Sequence, residues 1–260
     1  MNMFRPNAAE GAIRPLVLTD LDDTIFRNVK KIPEGELDGS VEVVTDTGDR
    51  ISVMTQRQAA FFQWIGSTCD IIPVTARSLE AFRKINLSFG DGWKIAGNGA
   101  VVINPDGAVD EEWAGIMCSE LIAYADILQA MHDAAAWRIR EAGFEFVVKR
   151  YAEHGHEHCV LFSCEGREES YLAGIADRLR TGITDRIHVH HNAGTLALTA
   201  GPVSKKRASE YVLSKIEGLD RRPVLAFGDS LSDLPFMSLG DFVCAPTGSH
   251  ISEKTLKGVA

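Results

Sequence analysis

Short apolar runs alternate with amphipathic segments at both ends of the chain. Four runs have the length and composition of strands in a parallel sheet: Leu16–Thr19, Asp70–Val74, Pro223–Phe227 and Phe242–Ala245. Two segments between the first runs have the spacing of amphipathic helices: Gln56–Ser67 and Ser78–Ile85. This alternation predicts an α/β fold with a Rossmann-like parallel sheet.

The middle of the chain has a different order of elements. Short strands are predicted at 94–96 and 100–103, around an Asn98-Gly99 turn. A long helix at 116–141 is followed by strands at 145–151 and 158–164, a helix at 167–179, and strands at 187–191 and 195–200. This order predicts an inserted α+β domain with its helices on one face of an open sheet. We expect a core domain formed by 1–104 and 201–260, and an insert formed by 105–200.

Composition narrows the class of protein. Of the 260 residues, 45% are hydrophobic and 24% are charged, which excludes a disordered chain, a collagen-like fibre and a coiled coil. With no run of about 18 apolar residues and no signal peptide, we expect neither a membrane span nor secretion.

The five cysteines have no C-x-x-C spacing, so they predict neither a zinc site nor a disulfide framework. They are expected to be reduced, mostly buried thiols of a cytoplasmic protein.

The net charge bears on the choice of partner. Lys and Arg number 27 and Asp and Glu number 36, which gives a formal charge of −9. An acidic surface argues against nucleic-acid and membrane partners. A small anionic substrate remains possible, because a bound cation reverses the local field.

Two acidic clusters follow predicted strands directly. Asp20, Asp22 and Asp23 come after the first strand, and Asp229 and Asp233 come after the strand that ends at Phe227. Ligands of parallel sheets bind beyond the carboxyl ends of strands, and three carboxylates in four residues repel one another unless a cation lies among them. Asp229 and Asp233 share a face if a helix begins here. Oxygen-rich sites without His or Cys favour Mg²⁺, although acidic loops and helix caps have similar sequences.

Two further segments carry groups that bind phosphate. Thr75 and Arg77 follow the second strand, and Lys205 lies at the start of a helix after Gly201-Pro202. Taken singly, Thr75 is typical of a helix cap and Lys205 of a solvated charge. Together with a metal, one hydroxyl and one ammonium would surround a tetrahedral dianion.

These motifs, in this order, resemble the haloacid dehalogenase superfamily of phosphotransferases. Asp20-Leu-Asp22-Asp23-Thr24 is similar to the first motif of the family and Thr75 to the second. Lys205 is similar to the third motif, and Gly228-Asp229 with Asp233 to the fourth. The insert occupies the place of a type 2 cap. Its element order and Asn98-Gly99-Ala100 resemble the sugar-phosphatase branch, which includes sucrose-phosphate and trehalose-phosphate phosphatases.

The resemblance implies a mechanism. It assigns Asp20 as nucleophile and Asp22 as general acid and base. Mg²⁺ would be held by Asp20, Asp229, Asp233 and the backbone carbonyl of Asp22, with Asp233 acting through a water or orienting Lys205. The implied phosphate-binding residues are Thr75, Arg77, Asn98 and Lys205.

The substrate would be a small phosphomonoester, with a sugar phosphate expected from the branch. A phosphomutase with the same nucleophile and a non-catalytic sensor of a phosphorylated ligand are the alternatives. The chain departs from the family at Ser232, where many relatives have Asn, and at Ala76, where Gly is frequent. Lys206 beside Lys205 leaves the identity of the phosphate-binding lysine open.

Overall fold

A computed structural model describes residues 13–44, 51–164, 169–182, 186–192 and 194–256. The strands are β1 Leu16–Thr19, β2 Arg27–Asn28, β3 Val41–Val44, β4 Ser52–Met54, β5 Asp70–Pro73, β6 Lys94–Ala96, β7 Val101–Ile103, β8 Phe146–Glu153, β9 His156–Cys164, β10 Ile187–Asn192, β11 Thr195–Ala200, β12 Val224–Phe227 and β13 Phe242–Cys244. The helices are α1 Gln56–Thr68, α2 Leu79–Arg83, α3 Glu111–Leu121, α4 Ala125–Glu141, α5 Glu169–Gly182, α6 Lys205–Ser214, α7 Leu234–Met237 and α8 His250–Leu256.

The described chain divides into two compact units. The core unit comprises the described parts of Met1–Thr75, Arg83–Lys94 and Ser209–Ala260, and the insert unit comprises those of Ala76–Phe82 and Ile95–Ala208. These ranges place 76–82, 95–104 and 201–208 with the insert. The expected domain boundaries, at 104/105 and 200/201, stay a prediction.

A four-stranded parallel sheet forms the centre of the core unit. Its order is β13-β12-β1-β5, and the α/β class predicted from the sequence is confirmed. All four residues of β1 are buried. Thr19 lies in register with Phe227 on one side and with Pro73 on the other, so these three strands end side by side. The last apolar run forms β13 at the edge of this sheet, where its three residues are exposed.

A second, smaller sheet of the core unit was not predicted. It has the order β2-β4-β3 and is antiparallel. Its strands are only two to four residues long, and β2 consists of one charged and one amide residue. Such short runs give too few positions for a period of two to stand out.

The insert unit contains an antiparallel sheet of order β10-β11-β9-β8. Helix α4 packs on β9 and β11, and α5 packs on β10 and β11. Along β9 every second side chain is buried, including Val160 and Phe162. The expected open α+β sheet with helices on one face is therefore found.

The predicted helix at 116–141 is interrupted. Helix α3 begins earlier, at Glu111, where the Asp110 carboxylate accepts a hydrogen bond from the Trp113 N–H at 2.8 Å. A 3₁₀ turn, Ile122–Tyr124, then separates α3 from α4. The single long periodic pattern thus covers two helices.

Among the described residues, the stretch Glu111–Glu141 contains an 18-residue window that is long and apolar enough for a membrane-crossing helix. A core helix of a globular protein can have the same length and composition, so this stretch is weak evidence for a membrane span. Leu128, Met131 and Ile139 are buried on one face of α4.

The five cysteines are thiols that form no disulfide with one another, and they differ in exposure. Cys69 and Cys164 are buried, Cys118 and Cys159 are half-buried, and Cys244 is exposed on β13. With two of the five thiols buried, the expectation of mostly buried thiols is wrong, and Cys244 is exposed because the last apolar run forms an edge strand.

The insert unit buries the imidazole of His158. His158 in β9 is 3% exposed, and neither ring nitrogen has a hydrogen-bond partner in the part of the chain that the structure describes. Desolvation lowers the pKa of His158 to about 4, because burial disfavours the charged imidazolium. The imidazole is therefore neutral at pH 7.

This environment predicts a loss of stability in mild acid. Because the folded-state pKa lies below that of the unfolded chain, protonation favours unfolding as the pH falls from about 6.5 towards 4, by up to roughly 3 kcal/mol. His158→Leu should lose less stability between pH 7.5 and pH 5 than the wild type in urea unfolding. Exposed His250 provides the control, since His250→Gln should keep the wild-type difference. Equal pH dependence in His158→Leu and the wild type would show that the buried imidazole has no such effect.

Candidate active site

Three carboxylates of the core unit lie together at the carboxyl ends of β1 and β12. One carboxylate oxygen from each of Asp20, Asp229 and Asp233 lies within 4.8 Å of the other two. Asp20 is 5% exposed and Asp233 is 1% exposed, while Asp229 is half-buried. Residues more than 200 positions apart therefore form one acidic cluster.

The sheet places the first two members. The Asp20 N–H donates to the Phe227 carbonyl at 2.9 Å, which continues the β1–β12 hydrogen bonding past the last residue of β1. Asp229 follows Phe227 by two residues, and its carbonyl accepts from the Ile251 N–H at 2.9 Å. Both side chains are thus held by backbone contacts at the same sheet edge.

A turn, rather than a helix, places Asp233. A shared helical face of Asp229 and Asp233 would require a helix to begin here, and this condition is not met, because α7 begins only at Leu234. The Asp233 N–H donates to the Ser230 carbonyl at 2.9 Å, and its Oδ2 accepts from the Ser230 N–H at 3.1 Å. This local competition between side chain and backbone favours a turn.

Gly228 lets this turn fold back on itself. A Cβ atom at this position would lie 2.6 Å from the Met237 sulfur and 2.7 Å from the Asp233 Cβ. Any larger residue would have to displace Asp233 or Met237, so the cluster depends on glycine here.

Thr24 is a member of the site that the sequence analysis did not assign a role. Its hydroxyl lies 3.3 Å from Asp20 Oδ2 and 3.5 Å from Asp229 Oδ1. A hydroxyl has a single proton to donate, so Thr24 can serve one of these oxygens at a time. The sequence offered one indication of this role: Thr24 ends the first acidic motif, four residues after Asp20.

The remaining acids of the first motif lie in a tight turn. Asp23 has a left-handed φ of 63°, and its N–H donates to the Phe26 carbonyl at 2.7 Å. The Asp23 carboxylate pairs with Lys31. Asp22 is half-buried and forms an isolated parallel bridge with Phe26. Asp22 therefore lies at the start of this turn, which backbone contacts with Phe26 close.

Thr75 occupies the third strand end of this sheet edge. It is 1% exposed and lies two residues beyond β5. The preceding Val74 N–H donates to the Thr19 carbonyl at 2.7 Å, which joins this segment to the end of β1.

The other predicted site residues belong to the insert unit. The Arg77 carbonyl accepts from the Gly97 N–H at 2.6 Å, and Asn98 has a left-handed φ of 60°. Lys205 is the first residue of α6 and is 9% exposed, whereas Lys206 is half-buried. Burial of a charged side chain requires a specific environment, so Lys205 is the better candidate of the two lysines.

The acidic cluster has the donor chemistry of a Mg²⁺ site. Mg²⁺ takes an octahedron of oxygens at about 2.1 Å, which leaves about 3 Å between adjacent ligands and about 4 Å between opposite ones. The carboxylate oxygens of Asp20, Asp229 and Asp233 lie within 4.8 Å of one another, which is close to the spacing that such an octahedron requires. A divalent cation would also offset the mutual repulsion of three largely buried charges.

No protein-family model matches the chain. Several solved structures share its fold. Sucrose-phosphatase from Synechocystis sp. PCC6803, solved with sucrose and phosphate, superposes with a TM-score of 0.53 at 16% identity over 95% of this chain and 97% of that one. The C-terminal domain of C. albicans trehalose-6-phosphate phosphatase gives 0.57 at 13% identity, over 88% and 73%. The C-terminally truncated IMP-nucleotidase of Plasmodium falciparum gives 0.54 at 14% identity, over 95% and 72%.

The chain shares the fold of these two phosphatases and of the nucleotidase. The resemblance read from the four short motifs therefore predicted the fold correctly, including the Rossmann-like core and the inserted α+β part. At these identities the likeness concerns the fold alone, because one fold supports many different functions.

The close packing at Gly228 predicts the effect of a single methyl group. Gly228→Ala should lower the free energy of unfolding by about 1–3 kcal/mol, because the added Cβ overlaps the Met237 sulfur and Asp233. Gly115→Ala is the matched control: this helical glycine of α3 has nothing within 4 Å of an added Cβ, and alanine there should stabilise by up to about 1 kcal/mol. Urea unfolding measures both. A Gly228→Ala protein as stable as the wild type would contradict the packing described.

Proposed function

We propose that the protein is a Mg²⁺-dependent phosphatase that hydrolyses a small phosphomonoester through an aspartyl-phosphate on Asp20. The observation that carries this proposal is the convergence of Asp20, Asp229 and Asp233 at one sheet edge. A strand-end carboxylate beside two other acids has the surroundings that both a cation site and a phosphoryl acceptor require.

The residues that would hold the cation are Asp20, Asp229 and Asp233, with the backbone carbonyl of Asp22. When bound, Mg²⁺ would neutralise charge on the phosphate and on the attacking carboxylate. Thr24, within reach of one oxygen of Asp20 and one of Asp229, would donate to one of these two carboxylates at a time and restrict its rotamer.

The proposed reaction has two displacements at phosphorus. A carboxylate oxygen of Asp20 attacks the phosphorus, and the bond to the substrate oxygen breaks as the new P–O bond forms. The carboxyl group of Asp22 donates its proton to the departing alcohol. Asp22 then takes a proton from water, which attacks the phosphorus and releases Asp20 and inorganic phosphate.

Binding of the phosphoryl oxygens is assigned to four side chains: Thr75, Arg77, Asn98 and Lys205. The buried hydroxyl of Thr75 at the end of β5 supports its part in this assignment. The low exposure of Lys205 supports the choice of this lysine over Lys206. A hydroxyl and an ammonium are suited to a phosphate dianion because both donate hydrogen bonds to its oxygens.

A sugar phosphate is the proposed substrate, and residues 105–200 are proposed to act as a cap that selects it. Two neighbours of this fold are phosphatases of sugar phosphates, and one of them was solved with sucrose and phosphate. The third neighbour is an IMP-nucleotidase, which makes nucleoside monophosphates the obvious comparison. The proposed location is the cytoplasm.

Removal of the nucleophile tests the mechanism. Asp20→Asn should lower kcat for a generic aryl phosphate by at least about 10³-fold while the thermal midpoint stays near that of the wild type, because an amide cannot form the acyl-phosphate. Exposed Asp106 serves as the control, and Asp106→Asn should retain full activity. A normal turnover rate in Asp20→Asn would refute the assignment of the nucleophile.

Phosphate release also separates the alternative functions. The wild type should release phosphate from a panel of sugar phosphates with Mg²⁺ and lose this activity in EDTA, at kcat/KM at least about tenfold above that for nucleoside monophosphates. Activity that requires an added sugar bisphosphate and yields an isomeric phosphate would identify a mutase. Binding of phosphorylated compounds without any release would identify a sensor.

A further inference from the structure

In the insert unit, the backbone of the Gly97–Gly99 turn lies directly against the residue that precedes α6. Gly99 has a φ of 101°, and a Cβ atom there would be 2.3 Å from the Ser204 carbonyl oxygen and 3.1 Å from the Lys205 nitrogen. The peptide that joins Ser204 to Lys205 therefore rests on this glycine, with no side chain between the two segments.

Trp113 of α3 fixes the same turn from another side. Its indole is 2% exposed, and its Nε1–H donates to the Gly99 carbonyl at 3.0 Å. The hydrogen bond from the Trp113 N–H to Asp110 anchors this residue at the start of α3. The position of Gly99 is thus set by α3.

Arg207 connects α3 directly to the first turn of α6. Its guanidinium lies 5.6 Å from the centre of the Trp113 ring and binds both carboxylate oxygens of Glu120, at 2.6 Å for Oε1. It also donates to the Pro202 carbonyl at 3.4 Å. The hydrogen bond from Arg207 holds the pKa of Glu120 below its ordinary value, so the pair is ionised at neutral pH.

These contacts do more to define geometry than to add stability. The side chains of Arg207 and Glu120 are 38% and 36% exposed, and exposed ion pairs contribute little free energy. A bidentate guanidinium–carboxylate pair does, however, restrict orientation strongly. Arg207 lies two residues after Lys205 in the first turn of α6, so the pair restricts the segment that carries Lys205.

We propose that Trp113 and Arg207 are positioning residues, which hold the Ser204–Lys205 peptide so that the Lys205 ammonium meets the substrate phosphate. This inference rests on the proposed phosphatase function and on the assignment of Lys205 to phosphate binding. Neither residue touches the phosphate; each acts through the backbone that carries Lys205. Small displacements of a binding group cost large factors in rate, so loss of either contact should weaken phosphate recognition.

A double-mutant cycle with Lys205 tests the proposal. Trp113→Phe keeps the aromatic ring and removes the N–H donor, and Arg207→Gln removes the bidentate pair. Each should lower kcat/KM for an aryl phosphate, and raise the inhibition constant of inorganic phosphate, by about three- to tenfold. Assayed at high enzyme concentration in a Lys205→Ala background, the same substitutions should change kcat/KM by less than about 1.5-fold.

The controls are chemically matched. Trp137 is 57% exposed on α4, and Trp137→Phe should leave kcat/KM and phosphate inhibition unchanged. Arg180 pairs with Asp177 on α5, and Arg180→Gln should likewise leave both unchanged. Thermal midpoints of all variants separate lost stability from lost recognition.

The outcomes distinguish this inference from the proposed function. Equal factors in the Lys205 and Lys205→Ala backgrounds, or no effect of Trp113→Phe and Arg207→Gln, would overturn the positioning role while leaving the phosphatase proposal intact. Failure of the wild type to release phosphate from any phosphomonoester would instead overturn the proposed function, and this inference with it.

Discussion

Mutual repulsion of three carboxylates at one edge of a parallel sheet is the constraint on which the rest of the structure depends. Asp20 and Asp233 are almost fully buried, and Asp229 lies within 4.8 Å of both. Packing such charges together is costly unless a cation offsets them. The fold nevertheless maintains the arrangement with backbone hydrogen bonds on each side. A preformed cluster of this kind is what the proposed metal site requires.

The topology explains how distant segments supply this site. Because β1 lies between β12 and β5, the residues that follow all three strands are neighbours, although they are far apart in the sequence. Gly228 then allows the chain to turn back so that Asp233 reaches the same point. In the insert unit, Gly99 has a related role, since it allows the turn before β7 to lie against the peptide before α6. Both glycines allow contacts that any side chain would prevent.

The sequence predicted the parts of this structure that depend on long, regular patterns. Strand β1, the α/β class and the helix-covered sheet of the insert followed from hydrophobic periodicity, and the four ordered motifs indicated the fold. A spacing of four places Asp229 and Asp233 on one face only when the backbone is helical, and the structure has a turn there instead. The sheet of β2, β4 and β3 and the role of Thr24 were missed, since short strands lack periodicity and one hydroxyl has many possible partners. Cys244 is exposed because β13 is an edge strand, and the order of strands in a sheet cannot be predicted from the local sequence.

A calorimetric titration of the protein with Mg²⁺ tests the central claim most directly. We expect the wild type to bind a single Mg²⁺ in the accessible concentration range, Asp229→Asn to bind at least about tenfold more weakly, and Asp106→Asn to match the wild type. Absence of Mg²⁺ binding by the wild type, or equal affinity in Asp229→Asn, would contradict the account of the acidic cluster as a metal site.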